Sequence, residues 1–409
     1  MSFRFVPAAG ALAALIPALA WPAPLNLEQA IELATQRSQA IRGARAGAAG
    51  ATEAARAAAQ LPDPMLSIGI ENLPVTGPDR LRTTADSMTM KRVGISQEWV
   101  SAEKRALRQA AAAAQVGKED ALGQVALADT RLQTTLAYLD AFYAAEAVKL
   151  TTLTEHHVHE EFEAAKARLA SSAGSSHEVL QLTASRGAAE DESADVAQVQ
   201  ASALASLQRW VGLRADALVA PRLPTTPGEQ DYVANHPAVV QAQRDIEAAR
   251  AEAAATAASR TPNWTWQASY GQRTGFSDMV NIGVSIPLPV APGERQDRET
   301  ASKLALVDKA EAALQEATRM ASGEYLAFAG DAQRLAQRVE RYRAGVVSPA
   351  QQRVQAALAG YRSNQVPLMT LFEARHAEVD VQRKLLTLQR DLARVQAQLA
   401  FKPIPGGAR

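Results

Sequence analysis

The sequence predicts a mainly α protein with a small β part, and three observations carry that expectation. Long stretches rich in Ala, Gln, Glu and Arg run without proline, the longest opening at residue 101 and continuing to about 170. Between such stretches lie four short segments that alternate apolar and polar residues, the pattern of a strand with two unlike faces. The order of helix, proline, two strands, long helix, break and shorter helix occurs twice, offset by roughly 190–200 residues, which predicts an internal two-fold repeat.

Composition bounds what the chain does. Its 409 residues leave room for two or three domains, and its formal net charge of +0 argues against a nucleic-acid partner, which needs a basic excess. The absence of cysteine excludes disulfides, thiol catalysis, thiolate metal sites and a lipid anchor on cysteine. Residues 1–20 read as an export signal. Arg4 supplies the basic start, Val6 to Leu19 is apolar, and "ALA" at 18–20 places the cut between Ala20 and Trp21. That apolar run falls short of the ~20 residues of a spanning helix, and no other stretch is long and apolar enough to cross a membrane as one.

The first repeat, 21–215, opens with a helical pattern over 25–60, in which Leu27, Ala30, Ile31 and Ala34 recur at three- and four-residue steps. Asn26 is its expected N-cap and Pro62 its end. Two strands are expected within 63–100, a long helix from 101 to a turn near 168–176, and a second helix to 213. A Pro/Gly-rich connector occupies 216–230. The second repeat, 231–402, starts at His236–Pro237, a helix boundary, with two strands within 262–290. Helical runs over 293–362 and 367–401 follow, turning near 361–367, and a tail covers 403–409. About 70 residues of helix span on the order of 100 Å. A helix of that length must lie against others in a coiled-coil-like bundle, with Leu127, Thr130, Leu132, Leu136, Leu139, Phe142 and Tyr143 as its stripe.

The strands carry the functional signal. Leu66, Ile68 and Ile70 alternate with Ser67, Gly69 and Glu71; Val93, Ile95 and Trp99 alternate with Arg92, Gly94, Ser96 and Glu98. Trp264, Trp266, Ala268 and Tyr270 alternate with Asn263, Thr265, Gln267 and Ser269, and Ile282, Val284, Ile286 and Leu288 with Asn281, Gly283 and Ser285. An apolar, aromatic face opposite a Ser/Gly/Asn/Gln face fits a strand with lipid on one side and a lumen on the other. Four strands cannot close a barrel, and open edges in lipid cost several kcal/mol for each unpaired group, so several copies must contribute. Two copies make eight strands with a filled interior, and three make twelve with room for a lumen. Three is the reading adopted, with Ile68, Ile70, Val93, Ile95, Trp264, Trp266, Ile282 and Val284 facing lipid.

Read as a whole, the mature chain resembles the TolC family of outer-membrane efflux channels. "PDPMLSIGIENLPVTGP" (62–78) with "MTMKRVGISQEWVSAEKR" (88–105) resembles the first hairpin of members serving heavy-metal (cobalt-zinc-cadmium or copper-silver) efflux. "VVSPAQQRVQAALAGYRSNQVPLMTLFEAR" (346–375) resembles the family's proline, Gly-Tyr and second-tip pattern. The resemblance implies a homotrimer with a 12-stranded barrel in outer-membrane lipid and an α-helical periplasmic barrel. It also implies a pump completed by a periplasmic adaptor (membrane fusion protein) and an inner-membrane RND-type transporter, with no enzymatic activity and no cofactor. By position it makes Arg168, Ser171, Gly174, Ser175, Tyr361, Asn364, Gln365, Val366 and Pro367 the adaptor-docking tips. The chain departs from the family where acidic residues often line the entrance: 341–372 contain no Asp or Glu but do contain Arg341, Arg343, Arg353 and Arg362. The cargo read here is heavy-metal cations, with drugs or organic solutes as the alternative, and a coiled-coil adaptor or scaffold without a pore is the rival from another class.

"EHHVHEEFE" (155–163) is the one chemically suggestive cluster. At helical spacing His156, His157, His159 and Glu160 offer weak contact to a divalent metal. A solvated polar helix face accounts for the same residues. No phosphate loop and no "GxSxG" stretch points to an enzyme.

Overall fold

The computed structural model describes residues 24–172, 174–215 and 217–405. The expected export signal lies outside them, as do the last residues of the expected tail. The first helical stretch begins where Asn26 was expected to cap it: Asn26 Oδ1 accepts from Gln29 N at 2.8 Å, and Gln29 Oε1 accepts from Asn26 N at 3.1 Å. It is two helices rather than one run, α1 (Leu27–Arg37) and α2 (Gln39–Ala58). Ser38 breaks the run because its backbone leaves helical ψ and its hydroxyl accepts from Ile41 N instead.

Helix α3 (Ala102–Ala170) has 69 residues, roughly 100 Å of continuous helix. Helix α4 (Ser176–Val211) returns beside it and stops at Gly212, whose φ of 80° is the left-handed value that glycine adopts without strain. Two helices, α5 (Glu229–Ala234) and α6 (Pro237–Ala257), follow the connector, and α6 starts with proline in its first turn and His236 Nδ1 accepting from Ala238 N. Helix α7 (Gln296–Tyr342) runs through a π turn (Arg343–Val347) directly into α8 (Ser348–Arg362), and α9 (Leu368–Phe401) closes the chain. Pro349 has no N–H for the carbonyl one turn back, and the wider π turn absorbs that missing bond.

The strands β1 (Met65–Glu71), β2 (Met90–Trp99), β3 (Trp264–Gln272) and β4 (Met279–Ser285) form one antiparallel sheet in the order β1-β2-β3-β4. Its central pairing, β2 with β3, joins segments far apart in the chain, Trp99 standing opposite Trp264. One expectation is corrected here. The alternation was read through Ile286 and Leu288, but β4 ends at Ser285 because Pro287 and Pro289 have no N–H to give a ladder.

The sheet sits at one end of the long helices, continuous with α3 through β2. Near it α2, α3, α6 and α7 pack side by side; toward the other end α3 packs with α4 and α9, and α8 with α9. The core is a seam rather than a ball, densest halfway along. There Tyr138, fully buried, shares its hydroxyl hydrogen between Leu25 O and Val219 O, each 2.7 Å away, and packs with Leu27, Ala141, Leu207 and Val211. Burial pushes the Tyr138 pKa up to about 12, so the phenol stays a donor. Nearby, Glu324 accepts from Tyr232 (2.5 Å) and Lys402 (2.7 Å). Burial pushes the Glu324 carboxyl up, but those two bonds and the charges of Lys402 and His236 outweigh it and hold the pKa below the ordinary value.

Candidate functional site

Each strand was expected to carry its apolar residues on one side, and the register decides whether those sides coincide. Directly opposed residues point the same way. Leu66 stands opposite Ile95, Ile68 opposite Val93, and Trp99 opposite Trp264. Ile95 stands opposite Ala268, Ala268 opposite Ile282, and Trp266 opposite Val284. All eight residues expected to face lipid, Ile68, Ile70, Val93, Ile95, Trp264, Trp266, Ile282 and Val284, therefore share one face. That face is open, with Ile282 82% and Ile68 75% exposed.

The opposite face is crowded, and its glycines show how. Gly69, Gly94, Gly271 and Gly283 all fall on it by register. A Cβ at Gly94 would stand 2.8 Å from Ser67 Oγ and 2.9 Å from Ser269 Cβ, closer than such atoms approach. Ser269 is only 5% exposed. A Cβ at Gly271 would stand 2.7 Å from Met90 Sδ and one at Gly283 3.0 Å from Gln267 Nε2, whereas Gly69 stands open. Among the described residues, no strand lies beside the outer edges of β1 and β4.

The joint between sheet and helices was not foreseen. Lys104, in the first turn of α3, is buried and reaches Asn263 Oδ1 at 2.8 Å and Thr261 O. Asn263 Nδ2 in turn donates to Glu98 Oε1 at 2.7 Å. Burial, then the charge of Arg108, lowers the Lys104 pKa, against the pull of Glu98. A lysine three residues past a serine N-cap looks like an ordinary helix start, so no local pattern marks it.

At the other end are the two helical turns. In the first, Ser171 caps α3, Ser172 takes φ 61°, and Ser175 caps α4 by accepting from Glu178 N. Arg168 Nη1 lies 3.0 Å from Glu178 Oε1, closing the turn across its base. In the second, Asn364 takes φ 59°, and both Gln365 N and Val366 N donate back to Gly360 O. Gly360 sits close to the turn, and a Cβ there would meet Val366 Cγ2 at 3.0 Å. Pro367 then caps α9. Tyr361 and the polar turn residues are exposed. The chain thus turns at both expected places, with α8 and α9 zipped by Val354, Ala357, Leu371 and Ala374.

The His-rich cluster is divided by the helix. His156 and His159 are exposed, and His156 Nε2 lies 3.3 Å from Glu160 Oε1. Glu160 is also bound by Arg375 of α9 at 3.2 Å, which sets a cation on the carboxylate offered for weak metal contact. His157 and Glu161 instead turn toward α9, where His376 Nε2 lies 3.2 Å from Glu161 Oε1. Burial, then the charge of Arg375, lowers the His157 pKa. Contact with Glu161 raises that of His376 against its burial. No three such groups among the described residues stand close enough to hold a metal ion.

Among the described residues no helix is long and apolar enough to cross a membrane. No family model matches the chain, and no curated protein sequence matches it. The fold is that of solved outer-membrane channels. It superposes on the outer membrane protein VceC of Vibrio cholerae (19% identity, 92% of this chain and 96% of that one, TM-score 0.73). It superposes likewise on the CmeC outer membrane channel of Campylobacter jejuni (13%, 98% and 94%, 0.75). The open-state MtrE outer membrane channel of Neisseria gonorrhoeae gives 16%, 93% and 89%, with a TM-score of 0.77.

Proposed function

We propose that three copies of this chain form an outer-membrane exit duct, the passive last component of a tripartite efflux pump. One observation carries the reading: a four-stranded sheet with one apolar, bare face and one polar, glycine-bearing face, whose two outer strands lack neighbouring strands among the described residues. In a water-soluble protein the bare face would need cover. In lipid it is the preferred surface, and the unpaired edges demand further strands. Antiparallel order allows the β4 of one copy to pair with the β1 of the next, and twelve strands leave a lumen. The likeness to solved channels supports the same assembly.

In this reading an export signal at 1–20 delivers the chain across the inner membrane, and two repeats, 21–215 and 231–402, each supply a hairpin and a helical turn. The turns around Arg168, Ser171, Gly174 and Ser175, and around Tyr361, Asn364, Gln365, Val366 and Pro367, dock a periplasmic adaptor that links the duct to an RND-type inner-membrane transporter. Energy comes from the transporter, so the chain needs no catalytic site.

Heavy-metal cations are the cargo that the sequence resemblance favours. Drugs or organic solutes are favoured by the arginines and missing carboxylates of 341–372, where a cation-selecting entrance would carry acids. The test is the mass of the mature protein in detergent together with its conductance in planar bilayers. A trimer with discrete channel events supports the duct. A water-soluble protein with no channel activity would put the pore-free scaffold in its place.

A further inference from the structure

We propose that the cleft between the sheet and the helices binds an amphiphilic organic anion, a carboxylate, sulfonate or phosphate head on an apolar body, and that such anions are cargo of the duct. The cleft holds about 550 Å3 and lies where β2 runs into α3, α6 into β3, and the segment 287–296 into α7. Lys104, Arg108, Arg260 and Arg295 line it, against one carboxylate, that of Glu98. Its two strand residues, Glu98 and Thr265, stand opposite each other on the polar face of the sheet. The cleft therefore opens on the side that faces the lumen in the duct reading.

The positive charges there are weakly matched. Glu98 already accepts from Asn263 Nδ2 at 2.7 Å. Lys104 is buried, yet its ammonium donates to neutral oxygens, Asn263 Oδ1 at 2.8 Å and Thr261 O. A cation taken out of water without a counter-charge is costly. Burial, and then the charge of Arg108 one turn along α3, accordingly lowers the Lys104 pKa. An anion in the cleft would offset both effects. Arg260 and Arg295 do face acids, Asp297 at 3.8 Å and Glu299 at 3.6 Å. Those contacts are longer than a charge-assisted hydrogen bond and stand in solvent, where such pairs hold weakly.

The rest of the wall selects the body of the ligand. Leu288 and Val290 line the same cleft and are 80% and 93% exposed, on a stretch that Pro287 and Pro289 keep out of the ladder. An inorganic anion would use the cations alone. An apolar wall with a few convergent charged groups suits an organic molecule with a charged end. The far end of the chain carries the same sign, since 341–372 hold four arginines and no acid, an entrance that attracts anions. That the bound anion is cargo rests on the duct reading; the site itself does not.

The test is equilibrium dialysis of the full-length protein in detergent against protein-free micelles, with naphthalenesulfonate as the probe. Naphthalenemethanol serves as its neutral counterpart and inorganic phosphate as the head alone. Saturable binding of one sulfonate per chain is expected, weakening as salt rises, with none of the alcohol. Arg108→Gln/Arg295→Gln should weaken it about tenfold or more. Leu288→Asn/Val290→Asn should weaken the sulfonate but not phosphate, and Arg353→Gln should bind as the parent does. All these side chains are exposed, so the variants should fold. In planar bilayers the sulfonate should interrupt the parent's current and not that of the Arg108/Arg295 variant. Equal binding of the alcohol, or undiminished affinity in the Arg108/Arg295 variant, would overturn the site. Unchanged sulfonate affinity in the Leu288/Val290 variant would overturn the amphiphilic ligand. A protein that binds the sulfonate but forms no channel would sink the duct and keep the site, whereas channels without saturable binding would do the reverse.

Discussion

Placing a charge on the apolar face of the sheet tests its orientation most sharply at Ile282. That side chain is 82% exposed and stands opposite Ala268, the middle residue of β3, so it marks mid-height of the sheet. An arginine on the lipid face of a barrel near mid-membrane costs about 2–4 kcal/mol. At about 1.4 kcal/mol per decade, that is a loss of roughly 30- to 1,000-fold in the equilibrium between inserted and uninserted protein. Asn281, the adjacent residue, lies on the polar face opposite Ser269. Asn281→Arg should cost little, because a lumen hydrates the guanidinium. The assay is urea titration of the protein against liposomes, reading the inserted fraction by protease protection. A large midpoint shift for Ile282→Arg beside a small one for Asn281→Arg is expected. Equal shifts, or a larger one for Asn281→Arg, would refute the assignment of faces.

Three further outcomes follow from packing and titration. Gly94→Val should destabilise the sheet by about 1–3 kcal/mol, since its side chain must displace Ser67 and Ser269 across both neighbouring strands; urea unfolding in micelles reads it. Tyr138→Phe removes the one hydrogen shared by Leu25 O and Val219 O and should cost about 1–3 kcal/mol in thermal or chemical unfolding. Stability should also fall on acidification. The Glu324 pKa is depressed in the fold, so its contribution is present above its unfolded value of 4.5 and is lost as pH drops through the folded one. Burial likewise lowers His236, which favours the fold above its unfolded value of 6.5 and adds to the loss below it. Glu324→Gln should flatten the acid limb of a melting-temperature profile.

What the sequence makes legible here is local. The cap at Asn26, the helix start at His236–Pro237 and the reversals at Ser171–Ser175 and Ser363–Pro367 are each written in neighbouring residues. The two-faced strands are equally plain, and a further signal was available in them, since every strand glycine lies on the polar side. What stayed hidden depends on residues far apart. Lys104 meets Asn263, and Glu161 meets His376, only once the fold has brought distant stretches together. Tyr138 lies outside the apolar stripe read for α3, and nothing local marks it until the connector supplies Val219 O. The stripe itself identifies the buried side of α3 but not which neighbour covers each part of it.

The central claim is that β4 of one copy pairs with β1 of the next, and its most direct test is a disulfide across that edge. The chain has no cysteine, so any bond formed comes from introduced residues. Ser67→Cys in β1 is combined in turn with Asn281→Cys, Gly283→Cys and Ser285→Cys in β4, all on the polar face. Paired strands hold such Cβ atoms about 4.5–5.5 Å apart, within reach of a disulfide. The account predicts that at least one combination oxidises to a covalent trimer in non-reducing gels, with neither single variant linking beyond a dimer. Chains that remain monomeric in every combination would contradict it.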